Sequence, residues 1–371
     1  MKAAIIMPLA EQRGGAELML MHLLRANRVG PQVEYHLAFL EEGPLVDETV
    51  ALGYPVQVFP AGQIRQVHRQ LSTVWALKQW MQRERVDVAM SWMSKAHLYA
   101  GPAARMVGIP SVWWQHNIPD GHWLGRWATL ISAKRVFCCS QAAQQAQQKL
   151  KPKRATSVIY PAVDLRRLNP ALLPCPIEAR RMLGLPEKGP IIGVVSRLQR
   201  SKGVHVFLDA AAEVVKTHPD VYFVVVGGKH GLEPDCPNIL ATQTEALGLS
   251  EKVCFTGYQA NTELWMQAMD VVVLPSIGTE SFGMVIIEGM ALGKTVIASK
   301  AGGPQEIIED GVNGYLTERG NASVLAETIR QVIKEPNQQA EIQAAARRKA
   351  SSFSTEKLAS EVAQSLQMML S

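Results

Sequence analysis

Short apolar runs that alternate with helical patterns from end to end leave this chain few ways to fold. In the first half they are AAIIMPLA (3–10), VEYHLAFL (33–40), PVQVFP (55–60), VDVAMSW (86–92), PSVWWQH (110–116), RVFCCS (135–140) and ATSVIYP (155–161). A second series follows: GPIIGVVSRL (189–198), DVYFVVVGG (220–228), KVCFTGY (252–258), DVVVLPS (270–276), KTVIASK (294–300) and GYLT (314–317). Runs of this length without polar alternation predict strands buried on both faces, and the helical stretches between them supply the crossovers that parallel strands need. The expected fold class is α/β, doubly wound, in two domains, because 371 residues exceed one compact core. Five prolines within residues 169–190 read as a linker, which sets the boundary near residue 166.

Composition excludes several classes. The chain is 47% hydrophobic and 19% charged, with a mean hydropathy of +0.00. It contains no apolar stretch of the length a spanning helix requires. The amino-terminal MKAAIIMPLAEQRGG suits a first buried strand better than a secretory leader. Five cysteines without a C-x-x-C spacing point to a reduced, cytoplasmic protein with no structural zinc. Residues 1–170 hold 20 Lys and Arg against 11 Asp and Glu, a net of +9, and the remainder sums to −4. The two halves therefore suit different partners.

Two clusters could carry chemistry. In GVVSRLQRSKG (193–203) a strand ends, Ser196-Arg197 follow, and Lys202-Gly203 stand just before a helical pattern. Two cations there would receive a diphosphate, although either alone would read as a solvated loop charge. The second cluster is GTESFGMVIIEGM (278–290), with Glu280 and Glu288 separated by small and apolar residues. A helix starting near Ser281 or Phe282 would place Glu280 at its end and Glu288 about two turns inside. The amides of Phe282, Gly283 and Met284 would then face an anion. Glu288 sits in too apolar a setting for a routine solvated acid and needs a partner such as vicinal ribose hydroxyls.

Arg197 and Lys202 followed by Glu280-x7-Glu288, with SFG after the first acid, resemble the retaining glycosyltransferases of the GT-B fold, glycosyltransferase family 4. GGAE (14–17), VDVAMSW with AARMVGIPSVWWQH (103–116), VIYPAVD (158–164) and AGGPQEIIEDGVNGYLT (301–317) extend the resemblance over nearly the whole chain. It implies two Rossmann-like domains facing across a cleft, 1–165 for the acceptor and 166–351 for the nucleotide sugar, with 352–371 crossing back as a helix onto the first. It also implies that Arg197 and Lys202 bind the diphosphate of a UDP- or GDP-sugar. Glu280 would contact the sugar, beside the amides of Ser281, Phe282, Gly283 and Met284, and Glu288 would hold the ribose. His116 would lie near the reacting carbon, Gly14 and Gly15 would admit donor or acceptor, and Gly257-Tyr258 would read the base. One departure stands at Pro161-Ala162, where the family often has Asn-Gly before Val-Asp, and no donor contact is assigned there.

No Asp-x-Asp pair occurs in the chain, so no metal site and no cofactor are expected, with Arg197 and Lys202 taking the place of a divalent ion. The expected acceptor is a glycan, a lipid-linked molecule or a small-molecule hydroxyl, in bacterial cell-surface polysaccharide or glycoconjugate synthesis. Residues 63–85 mix Ile64, Val67, Leu71, Val74, Trp75 and Met81 with Arg65, Arg69, Lys78, Arg83 and Arg85. Such a helix either covers the sheet or rests on an anionic membrane at the inner face of the cytoplasmic membrane. Trp113 and Trp114 read as core, Trp123 and His122 as candidates for the acceptor side, and Asp120 is unassigned. A sugar-nucleotide epimerase and a non-catalytic sugar-nucleotide-binding subunit are the competing readings. Nucleic-acid binding is not expected.

Overall fold

The computed structural model describes residues 1–11, 14–30, 32–62, 66–119 and 123–370, the side chain of Val67 excepted. The chain divides into two compact units, Met1–Ala162 with Thr355–Ser371, and Val163–Ser354. The first holds β1 (Lys2–Met7), β2 (Glu34–Phe39), β3 (Val56–Val58), β4 (Val88–Trp92), β5 (Ser111–Gln115), β6 (Arg135–Cys138) and β7 (Thr156–Val158). These pair in the order β3-β2-β1-β4-β5-β6-β7, every pair parallel. The second holds β8 (Ile191–Val195), β9 (Tyr222–Val226), β10 (Val253–Gly257), β11 (Val271–Leu274), β12 (Thr295–Ser299) and β13 (Tyr315–Thr317). Their order is β10-β9-β8-β11-β12-β13, again all parallel. Each expected apolar run contains one of these strands.

Alternation along each strand divides one apolar run between two cores. In β1, Ile5 and Met7 pack with Leu20, Leu24 and Leu366 on one face. Ala4 and Ile6 join Leu77, Trp80 and Trp113 on the other. In the second unit, Ile192, Val194, Phe207, Phe223 and Ile329 form a core on one face of the sheet.

The carboxyl-terminal helix Thr355–Leu370 lies in the first unit, with Leu358, Val362, Leu366 and Met369 buried against the first helix, Gly15–Val29. Ser354 stands immediately before it. Helix Val67–Arg83 turns Val74, Leu77, Trp80 and Met81 into the core. It leaves Leu71 and Trp75 exposed, with the Lys78 ammonium 4.3 Å over the Trp75 ring. Ile64 and Arg65 lie outside the described residues.

The proline-rich segment 169–190 is not a linker. It forms a turn, Pro170–Leu172, and a helix, Pro176–Met182, within the second unit. Arg180 on that helix is buried and donates to Asp270 Oδ2 at 2.6 Å and to the Ala268 carbonyl at 2.9 Å. Pro170 and Pro176 open short helices, where the missing N–H costs nothing. The chain passes between units instead at Ala162/Val163 and Ser354/Thr355. There Val163 N–H donates to the Phe353 carbonyl at 2.9 Å.

Candidate active site

The strand order of the second unit reverses direction between β8 and β11, and the loops after those two strands meet at their carboxyl ends. In open α/β sheets a ligand crevice forms at such a switch point. The loop after β8 carries Arg197, exposed, then the turn Arg200–Lys202, Gly203 and helix Val204–Val215. Gly203 has φ +72°, and a Cβ there would collide with the Pro275 carbonyl of the loop after β11. Only glycine allows this approach. The amides of Ile277 and Gly278 both donate to the Ser201 carbonyl at 3.0 Å, which locks the two loops together.

Glu280 stands in this lock. Its Oε2 accepts from Lys202 Nζ at 2.8 Å and from Ser276 Oγ at 3.0 Å. Its backbone is held from the third side, the loop after β12, by a 2.7 Å bond from its N–H to the Ala301 carbonyl and a 2.9 Å bond from Gly303 N–H to its own carbonyl. A Cβ on Gly303 would collide with Phe282 Cα, so AGGP (301–304) packs directly on the acidic loop. Ser276 is 2% exposed.

The helical spacing expected for the two acids is corrected here. Gly283, at φ +99°, ends the loop, and the helix runs only over Met284–Ala291. Glu280 is therefore held in a bridge to Gly302 rather than at a helix end, and Glu288 lies in the second turn. Tertiary hydrogen bonds to the β12 loop outcompete a helical start at Ser281 or Phe282. Phe282 is buried, its ring edge-on to Phe353 at 5.5 Å. Ser281 lies between it and Glu280, and Met284 opens the helix ahead of the intrahelical bonds. Burial pushes the Glu288 carboxyl up to about 7, opposed by Arg167 and reinforced by Glu263. Arg167 is committed to Glu263, with Nε to Oε1 at 2.9 Å and Nη2 to Oε2 at 2.6 Å. Asp164 Oδ1 organises that corner by accepting from the amides of Arg166 and Arg167. Tyr258 follows Gly257, which has φ +68°, and its ring is 72% exposed at the end of β10.

In the first unit Gly14 caps helix Gly15–Val29 in extended backbone, φ −176°, and a Cβ there would meet only ordinary contact with Glu17. Among the described residues no crowding requires glycine at 14. His116 follows β5 and is 8% exposed. Its ring lies 4.9 Å from Trp92 and stacks on Trp114 at 5.4 Å. Among the described residues its Nε2 has no hydrogen-bond partner, and burial holds its pKa down at about 3. The imidazole is neutral. Trp113 and Trp114 are fully buried, and Trp123 is half exposed. Asp120 and His122 lie outside the described residues.

Residues 13–167 match the family described as Glycosyltransferase Family 4, and residues 177–349 the family of glycosyl transferases group 1. The structure resembles that of Anabaena HepE in complex with UDP and glucose, with a TM-score of 0.87, 30% identity and 99% of each chain covered. The chain belongs to glycosyltransferase family 4. The D-inositol 3-phosphate glycosyltransferase of Frankia alni is 27% identical over 92% of this chain and 91% of that protein. The enzyme of the same name from Corynebacterium urealyticum is 35% identical over 50% of this chain, which spans 45% of that protein's length.

As a family 4 member the chain has two Rossmann-like units of the GT-B type. The positions that sequence reasoning missed are those defined by contact. Ser276 had one signal, the Pro-Ser pair that ends DVVVLPS. The Arg167–Glu263 pair, 96 residues apart, had none.

Proposed function

We propose that this protein transfers a sugar from a UDP-linked donor to a hydroxyl of a glycan or lipid-linked acceptor, with retention of anomeric configuration and without a metal ion. The observation that carries the reading is the convergence of Lys202, Ser276 and Glu280 at the switch point, with Arg197 in the loop after β8. Cations at that place suit a diphosphate, and the likeness to a structure solved with UDP and glucose supports the choice of base. In this reading Arg197 and Lys202 neutralise the departing diphosphate. Glu280 accepts from the donor sugar's hydroxyls, with the backbone of Ser281, Phe282, Gly283 and Met284 beside it. Glu288 accepts from the ribose, and Tyr258 lies at the base. In the first unit, His116 offers a neutral ring nitrogen to the substrates, and Gly14-Gly15 leave room for them.

Retention is assigned to a front-face route. The bond from the anomeric carbon to the phosphate oxygen breaks, the acceptor oxygen bonds to the same face, and its proton passes to the departing phosphate. Nucleoside diphosphate leaves, and no cofactor enters the balance.

The test is titration with a panel of nucleotide sugars, then turnover with and without EDTA. The expectation is saturable binding of a UDP-sugar and turnover unaffected by EDTA. At saturating donor, Arg197→Ala should lower turnover by a factor of about 10² to 10³. Failure of every UDP-sugar to bind, conversion of donor alone into an epimer, or unchanged turnover in Arg197→Ala would each overturn the reading.

A further inference from the structure

Two donors converge on one oxygen of Glu280, and they differ in kind. Lys202 is a cation on a flexible stem, and its side chain keeps 22% exposure at the mouth of the site. Ser276 is neutral, 2% exposed, and follows Pro275, whose carbonyl is pressed against Gly203. In the proposed reaction Lys202 has a second use, and among the described residues Ser276 Oγ bonds only to Glu280. A diphosphate entering the crevice offers Lys202 a stronger anion than a carboxylate already shared with a hydroxyl. Once Lys202 turns to the phosphate, Glu280 loses a charge-assisted bond when the sugar must be gripped.

We propose that Ser276 is a positioning residue that keeps Glu280 aimed at the donor sugar after Lys202 has exchanged Glu280 for the diphosphate. The inference rests on the proposed contact between Glu280 and the sugar. The 2.8 Å pair between Lys202 and Glu280 holds both charges in register. With donor bound, Lys202 serves the leaving group, Ser276 alone holds Oε2, and Oε1 accepts from the sugar. The backbone bonds from Glu280 to Ala301 and Gly303 fix where the side chain starts, and Ser276 fixes where it points.

The exchange separates two quantities that a structural role would move together. UDP binding reports the diphosphate and the nucleoside, and UDP-glucose binding adds the sugar. Calorimetric titration of both ligands into the wild type and three variants resolves them. Ser276→Ala should weaken UDP-glucose binding about tenfold, the scale of one hydrogen bond to a charged group, while UDP binding changes less than about twofold. Lys202→Met should weaken both ligands together and leave their ratio near the wild-type value. Glu280→Ala, which leaves no acceptor, should remove the sugar increment and spare UDP.

Equal weakening of both ligands by Ser276→Ala, or an unchanged ratio, overturns the positioning role. Collapse of the ratio in Lys202→Met overturns the exchange. If Glu280→Ala leaves the sugar increment intact, the underlying sugar contact itself fails, a result distinct from failure of Ser276 alone. Should Ser276→Ala fold poorly, Ser276→Cys, which keeps a weaker donor of similar shape, is expected to lose only part of the increment.

Discussion

Glu288 has a proton affinity unusual for a carboxylate, and it makes a pH prediction at the residue scale. With its pKa raised to about 7, the folded protein keeps a proton between the ordinary carboxyl range and neutrality that the unfolded chain has released. Stability from this group is complete below the unfolded value and falls as pH rises through about 7. Donor binding runs the opposite way. Vicinal ribose hydroxyls donate best to two ionised carboxylate oxygens, and the protonated carboxyl offers a weaker, neutral acceptor, so below pH 7 part of the bonding is lost. Wild-type affinity for UDP-glucose, whose diphosphate has no proton to exchange in this range, should weaken by up to about tenfold per pH unit below 7, and Glu288→Gln should flatten the profile. A pH titration by calorimetry checks this, and a wild-type profile flat from pH 6 to 8 would sink the role. His116, at about 3, adds no limb in that range.

At the scale of elements, two helices matter beyond the site. Leu366 on the closing helix Thr355–Leu370 is fully buried among Leu20, Leu24 and Ile5. Leu366→Ala should lower stability by about 2–5 kcal/mol, read as a shift of the urea midpoint, because the cavity lies in a core shared by three elements. Helix Val67–Arg83 has the reverse design, with one face in the core and Leu71 and Trp75 exposed beside Lys78. No helix among the described residues is long and apolar enough to cross a membrane. Peripheral attachment through this outer face is our proposal, supported by the exposed aromatic and by the +9 charge of residues 1–170. Vesicles containing anionic lipid should sediment the wild type at low salt and retain much less of Trp75→Ser. Wild type left in the supernatant would rule the attachment out.

For the molecule as a whole, ligand linkage offers the broadest check. UDP-glucose at about 100 times its dissociation constant should add ~2.7 kcal/mol of apparent stability, read as a raised melting temperature, and Lys202→Met should lose much of that gain at the same concentration. The alternation of apolar runs and helical stretches determined by itself that the chain would form parallel sheets in two units, because a strand buried on both faces has no polar side to place elsewhere. It also made Arg197, Lys202, Glu280 and Glu288 conspicuous, since charges at strand ends or within apolar helices ask for partners. Only the tertiary structure decided where segment 169–190 belongs, because Arg180 needs Asp270, 90 residues away, to turn a proline-rich stretch into packed structure. It alone decided that Glu280 leaves the helix for the β12 loop, that Ser276 and Lys202 share its oxygen, and that Arg167 is spent on Glu263. Local pattern records which face of an element is apolar. Which side chains converge depends on loop closures between residues far apart, and no periodicity encodes them.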